Sequence, residues 1–273
     1  IPTLNKRPDM LERSHSKETS QNALLAIFAH PDDESLASGG LIAWCAELEV
    51  TISLLCMTRG QHGPGDSSTL GKTREKELHD AASVLGIKNV SVLNYEDGML
   101  SWSNSSQIEF DIRHAIQQWQ PDVVITFGED GLYWHPDHIA VHQHTTAVID
   151  KLGRNAPALY YVTVPAGSMR SALNRVTETI GSSGGAPSQI FGVTDVDAFG
   201  SMALPPTLAI NCGHYARQKL AAIKCHVSQI RHNALAHIQD EDAEHLLALE
   251  FYRRASVGRQ DDAFIEQFRS EHH

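Results

Sequence analysis

After a polar opening stretch, the chain alternates short apolar runs with amphipathic segments. Residues 1–22 carry no hydrophobic run and read as a mobile N-terminal arm. Residues 23–29 (ALLAIFA) are apolar throughout, as a strand buried on both faces of a parallel sheet should be. Residues 34–48 place Leu36, Leu41, Ile42 and Cys45 at helical spacing. Residues 50–57 (VTISLLCM) predict a second strand, and the glycine-rich residues 58–71 a loop. Residues 72–86 predict an amphipathic helix through Leu78, Ala81, Ala82 and Leu85, stopped by Gly86. Strands at 89–94, 122–127 and 158–163 alternate with helices at 106–119 and 137–152. Beyond 165 the pattern loosens. Residues 181–187 (GSSGGAP) read as a loop or lid, 206–211 as a strand, and 213–225 and 241–254 as closing helices.

This βα alternation predicts an α/β fold: a Rossmann-like, doubly wound, mostly parallel sheet with C-terminal elaborations. No repeat and no convincing linker divides the chain, so residues 23–273 read as a single domain. A chain of 273 residues can bury a full core without staples. Its formal net charge of -11 disfavours nucleic acid as a partner. No apolar run approaches the roughly 18 residues that suggest a membrane span. Cys45, Cys56, Cys212 and Cys225 form no CxxC pair and read as buried thiols in a reducing, cytoplasmic compartment.

Of 16 histidines, four fall between positions 135 and 144. The first strand ends in Ala29-His30-Pro31-Asp32-Asp33-Glu34. A dinucleotide-binding chain would carry a glycine-rich loop there. Three acids repel a phosphate and suit a cation. The fourth strand leads to Tyr133-Trp134-His135-Pro136-Asp137-His138. With strand order 3-2-1-4-5 these two strand ends are neighbours at the topological switch point. His30, Asp33 and His138 then offer two imidazoles and one carboxylate, with an open fourth position, as catalytic zinc requires. Fe(II) is the alternative metal for such a set.

AHPDDE at 29–34 and HPDH at 135–138 resemble the LmbE-like, PIG-L-type family of zinc-dependent de-N-acetylases. Arg74-Glu75-Lys76-Glu77-Leu78 is similar to that family's RxxEL helix, and Glu96-Asp97-Gly98 to its DG turn. Lys224-Cys225-His226-Val227-Ser228-Gln229 resembles its C-terminal HxSQ segment. The resemblance implies zinc ligation by His30, Asp33 and His138, with Asp32 as general base. It implies that His135 stabilises the oxyanion or protonates the leaving amine, and that Tyr133 hydrogen-bonds the tetrahedral intermediate. Arg74 and Asp97 would hold sugar hydroxyls or a neighbouring charge, and His226 is carried as a substrate-side residue. The resemblance implies a small N-acetylated amino sugar or glycoconjugate as the substrate class and allows a homo-oligomer. One departure stands out: Arg59-Gly60-Gln61-His62-Gly63 fills the loop after the second strand, where relatives often carry an acid.

Plainer readings compete. Asp32, Asp33 and Glu34 could be a helix N-terminal acidic cap, and His226 a helix-end histidine facing the dipole. Arg74 could pair with Glu77 along its helix. His142 could add a fourth ligand, or be a residue at the surface or just behind the ligands. The alternative activities are an amidase for a larger acyl or cysteinyl conjugate, and a metal-binding member without hydrolysis.

Overall fold

The computed structural model describes residues 21–66, 68–180, 193–231 and 233–270. Seven strands form one sheet in the order β3-β2-β1-β4-β5-β7-β6. Strands β1 (Ala23–Phe28), β2 (Thr51–Thr58), β3 (Asn89–Tyr95), β4 (Val123–Phe127) and β5 (Ala158–Thr163) run parallel. Helices α1 (Asp33–Glu47), α2 (Leu70–Leu85), α3 (Ser105–Trp119) and α5 (Pro136–Leu152) fill the crossovers. A short turn of helix, α4 (Gly131–Trp134), precedes α5. The expected α/β architecture and the 3-2-1-4-5 order are both present.

Local chemistry explains these boundaries. β1 and β4 are almost wholly buried because helices cover both faces of the sheet, so their sequences are continuous apolar runs. Gly86 ends α2 in the left-handed region (φ 80), with its amide donating back to Ser83. Asn104 caps α3 by accepting from the Gln107 amide. Pro136 occupies the first turn of α5, where its missing N–H costs nothing.

The C-terminal half adds α6 (Ser168–Ile180), β6 (Leu208–Asn211), α7 (Ala216–Cys225), α8 (Val227–Ile230), α9 (Ala243–Leu247) and β7 (Leu249–Gly258). The helix expected at 241–254 is a correction. Only Ala243–Leu247 is helical, and the rest is β7, which pairs antiparallel with both β5 and β6. Glu250 and Tyr252 point inward with a period of two, and the neighbouring strands supply the ladder that decides the matter. The loop expected at 181–187 lies outside the described residues. So does the arm expected at 1–22, except for its last two residues.

Helix α1 is broken at Ser38 (φ −147, ψ 17). The amides freed there, Gly40 N–H and Leu41 N–H, donate to the buried carboxylate of Glu250 on β7 at 2.8 and 2.9 Å. Lys219 Nζ on α7 neutralises the same carboxylate at 2.6 Å. Gly40 is required by close approach, because a Cβ there would lie 2.5 Å from Cys212 Cβ.

Candidate active site

Parallel pairing of β1 with β4 brings the residues that follow them, His30–Glu34 and Gly131–His138, to one end of the sheet. Both turns carry left-handed residues other than glycine: Asp32 (φ 122), Leu132 (φ 67) and Trp134 (φ 67). Such backbone costs about 1–3 kcal/mol per residue and persists only where its surroundings over-determine it. A cleft of about 810 Å³ opens between these turns, the 62–74 segment and the 228–233 segment.

Three donor atoms converge at its base. His30 Nδ1 lies 3.2 Å from His138 Nε2, and Asp33 reaches the same two nitrogens at 3.4 and 3.3 Å. The other ring nitrogens fix the tautomers. His138 Nδ1 donates to the Gly131 carbonyl at 3.1 Å, so Nε2 presents a lone pair. His30 Nε2 faces Asp97 at 3.1 Å and Asp137 at 3.3 Å, which leaves Nδ1 as the nitrogen turned toward His138 and Asp33. Burial opposes charge on His30, but Asp137, Asp33 and Asp97 outweigh it and raise its pKa well above the usual imidazole value. Burial also opposes the Asp33 carboxylate, yet His138 and His30 hold its pKa well below the usual range. This donor set fits a divalent metal in softness, charge and orientation. His135 also falls within 4.8 Å of the His30 and His138 donors, as do Asp97 and Asp137 of His30. Asp33 would bring negative charge to the set, and His135 Nδ1 accepts from the Asp137 amide at 3.2 Å.

Asp32 points into the cleft beside this set. Burial pushes its carboxyl up to about 6, against the pull of Arg74. Arg74 is itself buried. Its guanidinium donates to Asp32 Oδ2 at 3.1 Å, to the Pro31 carbonyl at 2.7 Å and to the Gly60 carbonyl at 2.9 Å. It therefore holds a neighbouring charge, one of the two roles expected of it. Burial and the neighbouring His138 and His30 lower His135 to about 4, so it is neutral at pH 7. With Nδ1 occupied as an acceptor, its Nε2–H is free to donate. Tyr133 packs edge-on against His135 and His138, and burial keeps its phenol protonated. Asp97 lines the cleft and accepts from the His62 amide at 2.8 Å.

His226, carried as a substrate-side residue, and His142 both lie outside the residues that line the cleft. His226 is 1% exposed, does not line the cleft, and bonds Glu34 Oε1 at 2.8 Å. His142 lies behind the site with Nδ1 on the Phe127 carbonyl at 3.0 Å. Arg59, in the departing loop, pairs with Glu75 at 3.2 Å and stays out of the cleft wall. Trp134 is 49% exposed, and its Nε1–H donates to Ser201 Oγ at 3.2 Å. Sequence reasoning missed Asp137, which is fully buried and accepts from the amides of Gly98 (2.7 Å) and Leu100 (3.0 Å) while facing His30. Its only signal is its place between the two histidines of HPDH. Glu77 was likewise missed. It accepts from Ser228 N–H and Oγ–H at 2.8 and 2.7 Å and ties α2 to the 226–229 segment.

Comparison with known proteins narrows the identity. The family model described as PIG-L, GlcNAc-PI de-N-acetylase, matches residues 25–149. A 1D-myo-inositol 2-acetamido-2-deoxy-alpha-D-glucopyranoside deacetylase of Acidothermus cellulolyticus is 31% identical over 237 residues, covering 76% of this chain and 80% of that protein. Among solved structures, N,N'-diacetylchitobiose deacetylase from Pyrococcus horikoshii superposes with TM-score 0.60 at 20% identity, over 86% of this chain and 84% of that one. GalB, the 4-carboxy-2-hydroxymuconate hydratase from Pseudomonas putida, superposes with TM-score 0.62 at 14% identity, over 89% of this chain and all of that one. The fold thus serves a hydratase as well as a deacetylase and does not by itself decide chemistry. No helix among the described residues is long and apolar enough to cross a membrane. The match over three quarters of its length and the histidine–carboxylate centre at its switch point make this chain a member of the PIG-L (LmbE-like) deacetylase family.

Proposed function

We propose that this chain is a metal-dependent amidohydrolase that removes the acetyl group from an N-acetylglucosaminyl glycoconjugate. The observation that carries the reading is the convergence of His30 Nδ1, His138 Nε2 and the Asp33 carboxylate in the cleft that Asp32 also lines. His30, Asp33 and His138 would hold the metal, Zn²⁺ in our reading and Fe²⁺ as the alternative. Bound there, it supplies Lewis acidity, which polarises the amide carbonyl and lowers the pKa of water. Asp32 takes the proton of the attacking water. Its raised pKa near 6 suits it to carry that proton and pass it to the leaving nitrogen. The amide C–N bond breaks, giving acetate and a free amine. His135 Nε2–H and the Tyr133 hydroxyl donate to the oxyanion. Asp97 and Asp137 orient His30, and Asp97 faces the sugar.

A volume of about 810 Å³ lies within the range that encloses ligands larger than one sugar, about 300–1,000 Å³, so the cleft has room for an aglycone. All four cysteines are free thiols and three are buried, which supports a reducing compartment, the cytoplasm. The test is acetate release from a panel of N-acetylglucosaminyl conjugates by metal-stripped protein, with and without Zn²⁺, beside Asp32→Ala. Metal-dependent acetate that disappears in the variant is expected. Equal turnover by Asp32→Ala would remove the general base from the scheme. No acetate from any conjugate, despite stoichiometric metal, would remove the reaction itself.

A further inference from the structure

His226 and Glu34 form a buried pair beneath the site, each 1% exposed. His226 Nε2 lies 2.8 Å from Glu34 Oε1, and Ser35 Oγ–H donates to the same oxygen at 2.6 Å. The other carboxylate oxygen of Glu34, Oε2, accepts the backbone N–H of Asp32 at 3.1 Å. Asp32 is the residue held at φ 122, ψ −25, a conformation that an L side chain rarely adopts. A residue in that region stays there only while its backbone groups are fixed from outside. Glu34 fixes the amide, and Arg74 fixes the preceding carbonyl and the Asp32 carboxylate. Among the described residues, the other side chains that hold the Glu34 carboxylate are His226 and Ser35. His226 is not among the residues that line the cleft, and its Nδ1 has no hydrogen-bond partner among the described residues, so the contacts of its ring run through Nε2 to Glu34.

We infer that the His226–Glu34 pair is a positioning device: it holds Asp32 in its left-handed backbone conformation and so aims the base at the metal site. The inference rests on the reading of Asp32 as general base. It reassigns His226 from substrate contact to a role exerted through Asp32. The segment that carries His226 stays anchored without the imidazole, because Ser228 holds Glu77 through both N–H and hydroxyl. Loss of the ring removes one of the two side-chain donors to Glu34 Oε1 and leaves only the Ser35 hydroxyl on its own helix to hold it, so the carboxylate loosens while the fold stays in place. Asp32 then relaxes toward negative φ, and its carboxylate moves relative to the attacking water. A displacement of about 1 Å at a reacting group can cost about 100-fold in rate.

The test compares His226→Ala, His226→Gln and Glu34→Gln with wild type, all zinc-loaded. We expect His226→Ala and Glu34→Gln to lose about 10–100-fold in kcat with KM within about threefold, at full metal stoichiometry. His226→Gln places an amide donor near the lost Nε2–H and is expected to recover most of kcat. A rise in KM with kcat intact would return His226 to the substrate. A kcat within about threefold of wild type in both His226→Ala and Glu34→Gln would overturn the positioning role. Equal failure of the Ala and Gln variants to fold or hold metal would make the pair structural and overturn it too. A crystal structure of His226→Ala reads the inference without any turnover: Asp32 at negative φ and parted from Arg74 supports it, and an unchanged Asp32 overturns it. The Asp32→Asn enzyme reports separately on the base. If it retains activity the functional reading fails, whatever the His226 variants do.

Discussion

At the scale of single residues, Asp32 combines two unfavourable states: a left-handed backbone and a buried carboxylate. Burial raises its pKa from 3.8 to about 6, even with Arg74 pulling it down. A folded pKa above the unfolded one means that stability falls as pH rises from about 4 through 6, with the full penalty above. Two units correspond to about 3 kcal/mol. Metal-free Asp32→Asn, which removes the charge and keeps the shape, is therefore expected to melt about 6–12 °C above metal-free wild type at pH 8. The difference should vanish near pH 4, and calorimetry across that range checks it. A variant less stable than wild type at pH 8 would contradict the sign. The same substitution should cost about 10²–10⁴ in kcat, because the site keeps a costly charge for its reactivity. His135 makes a different prediction. A neutral imidazole with Nδ1 occupied contributes a donor, so His135→Ala should lose about 10²–10³ in kcat at unchanged zinc stoichiometry. Zinc loss in that variant, measured by elemental analysis, would instead make His135 a ligand.

At the scale of elements, legibility followed the reach of each signal. Parallel strands covered on both faces must be continuous apolar runs, so β1, β2, β4 and β5 could be read directly from sequence. The two histidine–aspartate clusters were legible because strand order places β1 beside β4. β7 was not. Leu246, Leu247, Phe251 and Ala255 also fit a helical spacing, and only pairing with β5 and β6 selects the strand. The roles of Asp137 and Glu34 were hidden for a related reason: each depends on which distant or strained amide it meets, those of Gly98 and Leu100 for one and of Asp32 for the other. The break in α1 is the same case, since Glu250, which caps the second half of the helix, lies on β7, whose own spacing also fits a helix. This placement carries its own prediction. Glu250→Ala leaves the Lys219 ammonium buried without its partner and orphans two amides. We expect a loss of about 3–5 kcal/mol in urea unfolding followed by circular dichroism. A loss below about 1 kcal/mol would mean that water reaches the Lys219–Glu250 pair.

At the scale of the whole molecule, an acidic chain concentrates Asp32, Asp33, Asp97 and Asp137 around one imidazole at the end of its sheet. In the metal-free protein burial opposes charge on His30, but Asp137, Asp33 and Asp97 outweigh it, favour the protonated ring and raise its pKa well above 6.5. A group whose folded pKa is raised contributes stability that is complete below its unfolded pKa and lost as pH climbs through the folded one. The metal-free protein should therefore lose stability as pH rises above about 6.5. A metal held by His30 Nδ1 takes the place of that proton, so its apparent affinity grows with pH over the same window. At 100 times its dissociation constant a ligand stabilises by about 2.7 kcal/mol, roughly 5–10 °C for a chain of this size. The expected result is a melting temperature that falls from pH 6 to 9 without zinc and changes much less with it, so that the gap between the two widens. Asp33→Asn, which removes one donor charge, should close most of that gap at every pH. A gap of constant size would mean that zinc binds without displacing a proton from His30, and the ligand set would have to be redrawn around His135 and His138.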